Sequence, residues 1–199
     1  MQSYNQKKYA FASDYIRLDV LNRYGGVYLD TDVELVRSID ELLTHKTVIG
    51  FENDGTLESN FIASEKNRPW LEMILSYYLS TDFVKENGKL NTLPNTWLIT
   101  AFLRKYFGLK IANKNQLLKD DIMVFANDYF SPKDLTTRKI LMTDNTYSIH
   151  HFDASWVNKN FDKQQRFLRS IKRIVGKNVF GWFTCVSAKL GTKKLFKKI

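Results

Sequence analysis

Gly25-Gly26-Val27-Tyr28-Leu29-Asp30-Thr31-Asp32 is the stretch on which the fold turns. A glycine pair can close a helix, because the left-handed backbone region costs little without a Cβ. Val27-Tyr28-Leu29 then reads as a short buried strand that Asp30-Thr31-Asp32 terminates. The C-terminal edge of such a strand is where open α/β sheets bind ligands. On an extended chain residues i and i+2 point the same way, so both carboxylates are expected to address one point. Two acids aimed at one point repel unless a cation separates them. A divalent metal that also bridges a diphosphate is the natural occupant.

Upstream, Lys7 to Tyr24 reads as a helix in which Ala12, Ile16, Val20 and Tyr24 recur every four residues, with Leu18 and Leu21 beside them. Asp14 and Arg17 stand three apart on one face of it. Such a pair is either a surface ion pair of small worth or an acid for sugar hydroxyls beside a guanidinium for phosphate oxygens. Downstream, Val33 to Val36 continues extended and Ser38 to Leu43 reads as a capped helical turn. Strands are expected at Thr47 to Phe51, Asn60 to Ser64, Ile122 to Phe125 and Tyr147 to His151. Helices are expected at Trp70 to Leu79, behind Pro69, and at Asn95 to Tyr106. Helix and strand alternate through one body, so the fold class is α/β.

The 199 residues are 44% apolar and 26% charged, which is globular usage. A chain of this length buries roughly 70% of its unfolded surface, enough for a core without staples. Cys185 is the single cysteine, so no internal disulfide forms. Met1 to Phe11 contains no apolar run of the secretory kind, and no stretch is apolar for the ~18 residues of a spanning helix. The expected location is therefore cytoplasmic, either free or peripheral on the inner face of the plasma membrane.

The net charge of +9 is unevenly distributed. From Lys159 to Ile199 there are 12 Lys and Arg against one acid, Asp162, whereas residues 1–158 hold 18 basic and 20 acidic residues. The chain thus divides into a slightly acidic body, 1–158, and a basic amphipathic tail, 159–199. In the tail, Phe167, Leu168, Ile171, Ile174 and Val175 alternate with Arg166, Arg169, Lys172, Arg173 and Lys177. Val179, Phe180, Trp182 and Phe183 then form an apolar cluster before Lys193-Lys194 and Lys197-Lys198. Residues 166–198 suit a helix lying on an anionic membrane surface, or one that packs its apolar face on the body. No basic-aromatic groove occurs elsewhere, so no nucleic acid partner is expected.

Tyr9-Ala10-Phe11-Ala12-Ser13-Asp14-Tyr15-Ile16-Arg17-Leu18, followed by Tyr24-Gly25-Gly26-Val27-Tyr28-Leu29-Asp30-Thr31-Asp32, resembles the D-x-D sugar transferases of glycosyltransferase family 32. That family includes bacterial capsular and surface-polysaccharide transferases. Ser148-Ile149-His150-His151-Phe152-Asp153-Ala154-Ser155-Trp156 resembles its late H-H…S-W segment. The resemblance implies a GT-A-type nucleotide-diphosphate-sugar fold over residues 1–158 and an enzyme, a retaining hexosyltransferase using a UDP- or GDP-sugar. The acceptor it implies is a polysaccharide or a lipid-linked sugar. Asp14 and Arg17 fall on donor-holding positions, and Trp156 lies in the segment that closes the site over the diphosphate as a further donor contact. Apart from the resemblance, the polar loop residues Glu52, Asn53 and Asn60 are read as lining the donor or acceptor pocket, with Asn53 as a donor contact. Asp30 and Asp32 fall on the acids that bind donor and Mn²⁺ or Mg²⁺, and carry the catalytic assignment. His150 or His151 is a further metal ligand, and strand alternation allows only one of them to reach the site. Family members carry more chain before the first helix, so the first nucleotide-binding βαβ portion is expected to be missing or shortened.

Two other readings compete. Haloacid-dehalogenase-like phosphatases also place D-x-D after a strand, with Asp120-Asp121 as the later metal acids, but Glu34 stands where their pattern has Thr or Val. A non-catalytic donor-binding or membrane-docking remnant is the third.

Overall fold

The computed structural model describes residues 9–52, 55–82, 84, 88, 90–91, 93–134, 137–152, 170–171 and 174–196. Tyr9–Tyr24 is helix α1. Its buried stripe is Arg17, Leu18 and Leu21, with Asp14 largely covered beside them. The spacing i, i+3, i+4, i+7 is helical, but two of its four positions are charged. The expected face is thereby corrected: Ile16, Val20 and Tyr24 are exposed, and only Ala12 of that set is buried.

The glycine pair closes α1 as its composition predicts. Gly25 N–H donates to the Leu21 carbonyl at 2.8 Å. Gly25 has φ +68, and a Cβ there would lie 3.0 Å from the Lys66 backbone nitrogen. Gly25 is therefore fixed by both backbone conformation and close approach, whereas Gly26, at φ +102 with open space around it, is fixed by conformation alone.

Strands β1 (Gly26–Leu29), β3 (Thr47–Phe51), β4 (Leu57–Ser64), β5 (Gln116–Leu118) and β6 (Ile122–Phe125) form one sheet in the order β1-β4-β3-β6-β5. The β3–β6 pair is parallel and the other pairs are antiparallel. β1, β3 and β6 therefore run in one direction and β4 and β5 in the other. Every residue of β3 is buried, as its central place demands. Strands β2 (Val33–Leu35) and β7 (Ser148–His150) form a separate antiparallel pair in which Val33 opposes His150. β5 was not anticipated: at three residues, with a polar first position, it has too little pattern to read.

Helices α2 (Pro69–Ser80) and α3 (Asn95–Phe102) cover one face of the sheet together with α1. Leu18, Leu21, Trp70, Leu71, Ile74, Leu98 and Ile99 pack there on Ile49, Leu57, Ile62, Ile122 and Val124. The opposite face is covered by a smaller layer, in which Phe130, Tyr147 and Leu42 pack on Val48, Phe61, Ala63 and Phe125. α3 widens into a π-helical turn over Leu103–Phe107, which Gly108 ends at φ +91. Helix α4 (Lys177–Leu195) packs against α3. The body is a mixed α/β layered sheet, consistent with a GT-A-like fold. The expected boundary at 158/159 and the tail residues 159–169 lie outside the described residues.

Candidate active site

The D-x-D carboxylates meet, but not by strand alternation. β1 ends at Leu29, and Val33 N–H closes a turn onto the Asp30 carbonyl at 3.1 Å. Asp30 remains tied to the sheet through its N–H, which donates to the Asn60 carbonyl at 2.9 Å. The expected extended geometry is thus corrected to a tight turn, which brings Asp32 back under Asp30.

The histidine pair separates as strand geometry requires. His150 Nε2 lies 3.3 Å from Asp32 Oδ1. His151 Nε2 lies 2.9 Å from Glu34 Oε2 instead. The β2–β7 register produces this division, because Val33 opposite His150 brings the preceding turn beneath that ring. Ligand atoms of Asp30, Asp32 and His150 all fall within 4.8 Å of one another. Burial holds the His150 imidazole below its ordinary pKa, against the upward pull of Asp32 and Asp30. The ring is therefore neutral at physiological pH, the form that ligates metals. Its Nδ1 is buried without a hydrogen-bond partner among the described residues. Phe152, at φ +51, brings its ring centroid to 3.8 Å from that of His150. A bulky residue in this backbone region is strained, and strain of this kind collects at functional sites.

Beneath the turn sits Arg17, 6% exposed. Its Nη1 donates to the Ser59 carbonyl at 2.5 Å and lies 3.4 Å from Asp30 Oδ1, and its Nη2 lies 3.3 Å from Asp14 Oδ1. The guanidinium also lies over the Tyr28 ring, 4.8 Å from its centroid. The pair on α1 is therefore no surface ion pair. Burial, partly offset by Arg17, raises the Asp14 carboxyl to about 6. α3 approaches from the other side, where Asn95 Nδ2 donates to the Asp14 carbonyl at 3.4 Å.

Two further acids stand behind the turn. Burial first, and the Asp30 charge second, raise Glu52 to about 7. Glu58 is fully buried, which pushes its carboxyl well above the usual range, and its Oε2 accepts from the Ser131 hydroxyl at 2.7 Å. Asn60, a candidate pocket-lining residue in the sequence, is buried within β4, and the sequence assigns no role to Tyr28, Ser59, Glu58 or Ser131. Glu58 precedes the expected strand start at Asn60, so no sequence pattern marks it. Asn53 and Trp156 lie outside the described residues.

The sheet also separates the acids on which a phosphatase would depend. Asp120 pairs with Arg68, and Asp121 accepts from Lys46 N–H and lies 2.8 Å from His45 Nδ1. They precede β6, whose first residue Ile122 is level with Thr47 and, through Ser64, with Gly26. Asp30 follows the last residue of β1. The two acidic pairs thus occupy opposite ends of the sheet and cannot share a cation.

Residues 1–49 match the family model of a glycosyltransferase sugar-binding region containing a DXD motif. The matched segment includes α1, β1, the Asp30–Asp32 turn and β2, and it supports a glycosyltransferase-family region here. Over 108 residues the chain is 38% identical to an uncharacterized protein of Arabidopsis thaliana, a match that covers 52% of this chain and 16% of that protein. The chain therefore spans only a small part of that relative's length. No solved structure matches.

Proposed function

We propose that the chain is the catalytic region of a metal-dependent, retaining glycosyltransferase of the family 32 type. It would move a hexosyl group from a UDP- or GDP-sugar to a polysaccharide or lipid-linked sugar acceptor. The observation that carries this reading is the convergence of Asp30, Asp32 and His150 ligand atoms within 4.8 Å, with the buried Arg17 3.4 Å from Asp30 Oδ1. The sugar-binding-region match over residues 1–49 supports the reaction class.

The residues suit a divalent cation. Two carboxylates and a neutral imidazole form a mixed oxygen and nitrogen set, which favours Mn²⁺ over the all-oxygen preference of Mg²⁺. When bound, such an ion neutralises the departing diphosphate as a Lewis acid. Around it the protein does the positioning. Arg17 and the Tyr28 hydroxyl hold one oxygen of Asp30, so its carboxylate enters the reaction already oriented. The β2–β7 pairing holds His150 against Asp32. Asp14, on α1 beside the first residue of α3, would accept sugar hydroxyls, and Arg17 serves it as a counter-charge rather than as a free phosphate clamp.

Calorimetric titration of UDP-glucose, UDP-galactose, UDP-N-acetylhexosamines and GDP-mannose, with and without Mn²⁺, tests the reading. Metal-dependent binding of one donor, with release of its nucleotide diphosphate in the presence of an acceptor, is the expected result. Binding of none by a cooperatively melting protein would overturn the assignment of activity to this chain.

A further inference from the structure

Helix α4 has two faces of opposite character, and its rotation about its own axis is fixed. Ala188 and Thr192 are buried against the body. Gly191 admits the Trp97 ring so closely that a Cβ at 191 would lie 2.2 Å from it. Arg104 donates to the Lys189 carbonyl and to Thr192 Oγ1, both at 2.6 Å, and Lys105 donates to the Phe196 carbonyl at 3.1 Å. The helix is thus clamped along its inner side by α3 and the π turn.

That clamping turns a stripe of large apolar side chains outward. Val179, Trp182, Phe183 and Leu190 are 46%, 61%, 55% and 58% exposed. Together with the half-buried Val186 they recur at three- and four-residue intervals along one side. The Trp182 and Phe183 rings meet edge to face with centroids 5.1 Å apart. Lys189, Lys193 and Lys194 are exposed at the C-terminal end of the stripe. No Asp or Glu follows Asp162 anywhere in the sequence. An exposed aromatic pair flanked by cations with no anion suits a surface that is apolar beneath and negative on top. A second copy of the same face would instead bring like charges together. No described helix is long and apolar enough to cross a membrane, so contact would be along the helix rather than through the bilayer.

We propose that the outer face of α4 docks on an anionic lipid bilayer, with Trp182 and Phe183 in the interfacial layer and Lys189, Lys193 and Lys194 over the headgroups. The proposal stands apart from the glycosyltransferase reading and does not need it. It also moves the contact surface from the whole of residues 166–198 to one face of one helix.

The full chain is sedimented with vesicles of phosphatidylcholine alone and of phosphatidylcholine mixed with phosphatidylglycerol. Sedimentation with the mixed vesicles only, weakening between ~0.1 M and ~1 M salt, is expected. The K189Q/K193Q/K194Q variant should partition about a hundredfold more weakly, since each lysine contributes about a fivefold step. The W182S/F183S variant should lose binding too, with an unchanged circular dichroism spectrum because both rings are exposed. Parent and W182S/F183S sedimenting equally with anionic vesicles would overturn the proposal. So would a parent dimer that this variant dissociates, which would make the face an interface between copies of the chain.

Discussion

The Tyr28 hydroxyl donates a 2.7 Å hydrogen bond to Asp30 Oδ1, the same oxygen that lies 3.4 Å from Arg17. Tyr28 and Asp30 are two apart in sequence. The last turn of a short strand therefore supplies both the acid and the group that orients it. Tyr28→Phe should keep the fold, with a stability loss of about 1 kcal/mol for one hydrogen bond. Its Mn²⁺ affinity should fall several-fold, because Asp30 then depends on Arg17 alone. A calorimetric metal titration reads this directly, and an unchanged affinity would show that the hydroxyl does not orient the carboxylate.

The division of the histidines makes a paired prediction. His150→Ala should weaken Mn²⁺-dependent donor binding, and Asp32→Asn should abolish it with the melt still cooperative. His151→Ala should leave binding unchanged, since that ring faces Glu34. Equal effects of the two histidine variants would contradict the register argument.

Arg17 is buried between two carboxylates. Arg17→Met keeps much of the side-chain volume but strands Asp14 and Asp30 without their cation. Removing one partner of a buried ion pair costs about 3 kcal/mol or more. Chemical denaturation should show a loss of that order, and a loss below ~1 kcal/mol would place the guanidinium in solvent.

Glu52 gives the protein a pH dependence of definite sign. Its folded pKa of about 7 lies above the unfolded value, because burial and the Asp30 charge disfavour the carboxylate. The folded state therefore holds more protons than the unfolded state between about pH 4.5 and 7, and stability falls as pH rises through that window. Asp14, raised to about 6 by burial, acts with the same sign at the lower end. Melting temperatures from pH 5 to 8 should decline for the parent and decline less for Glu52→Gln. Parallel curves would remove Glu52 as the source.

Gly191 sets the distance between α3 and α4. Gly191→Ala places a methyl 2.2 Å from the Trp97 ring. Overpacking of this kind costs about 1–3 kcal/mol. Thermal melts should show the loss, and an unaltered melt would mean that α4 is not seated on α3.

Most elements were legible because their patterns are local. Gly25-Gly26 announces the end of α1, and the apolar runs at 47–51 and 122–125 coincide with β3 and β6. The inward face of α1 was not legible, since its stripe alternates charged and aliphatic residues and a hydrophobicity pattern selects Ile16, Val20 and Tyr24 instead. The charges are inside because their partners, Asp30 and the Ser59 carbonyl, come from β1 and β4. Such non-local pairing leaves no periodic trace. The same holds for the site. Asp30 and Asp32 stand out in sequence, whereas the choice between His150 and His151 depends on a pairing across more than a hundred residues. Glu58 stayed hidden because a fully buried acid becomes readable only once Ser131 is known to face it.

The crowding of acids around Asp30 has a consequence for how this protein would evolve. Asp14, Asp30, Asp32, Glu52 and Glu58 form a group of neighbouring carboxyls, with Arg17 between Asp14 and Asp30. At Glu52 a neutral side chain would relieve both the burial of a charge and its repulsion from Asp30. Lineages selected only for heat tolerance should drift toward an amide at this position and end as robust but idle proteins. Retention of the acid is then a record of use, one that comparative sequencing of heat-adapted and ordinary relatives can read.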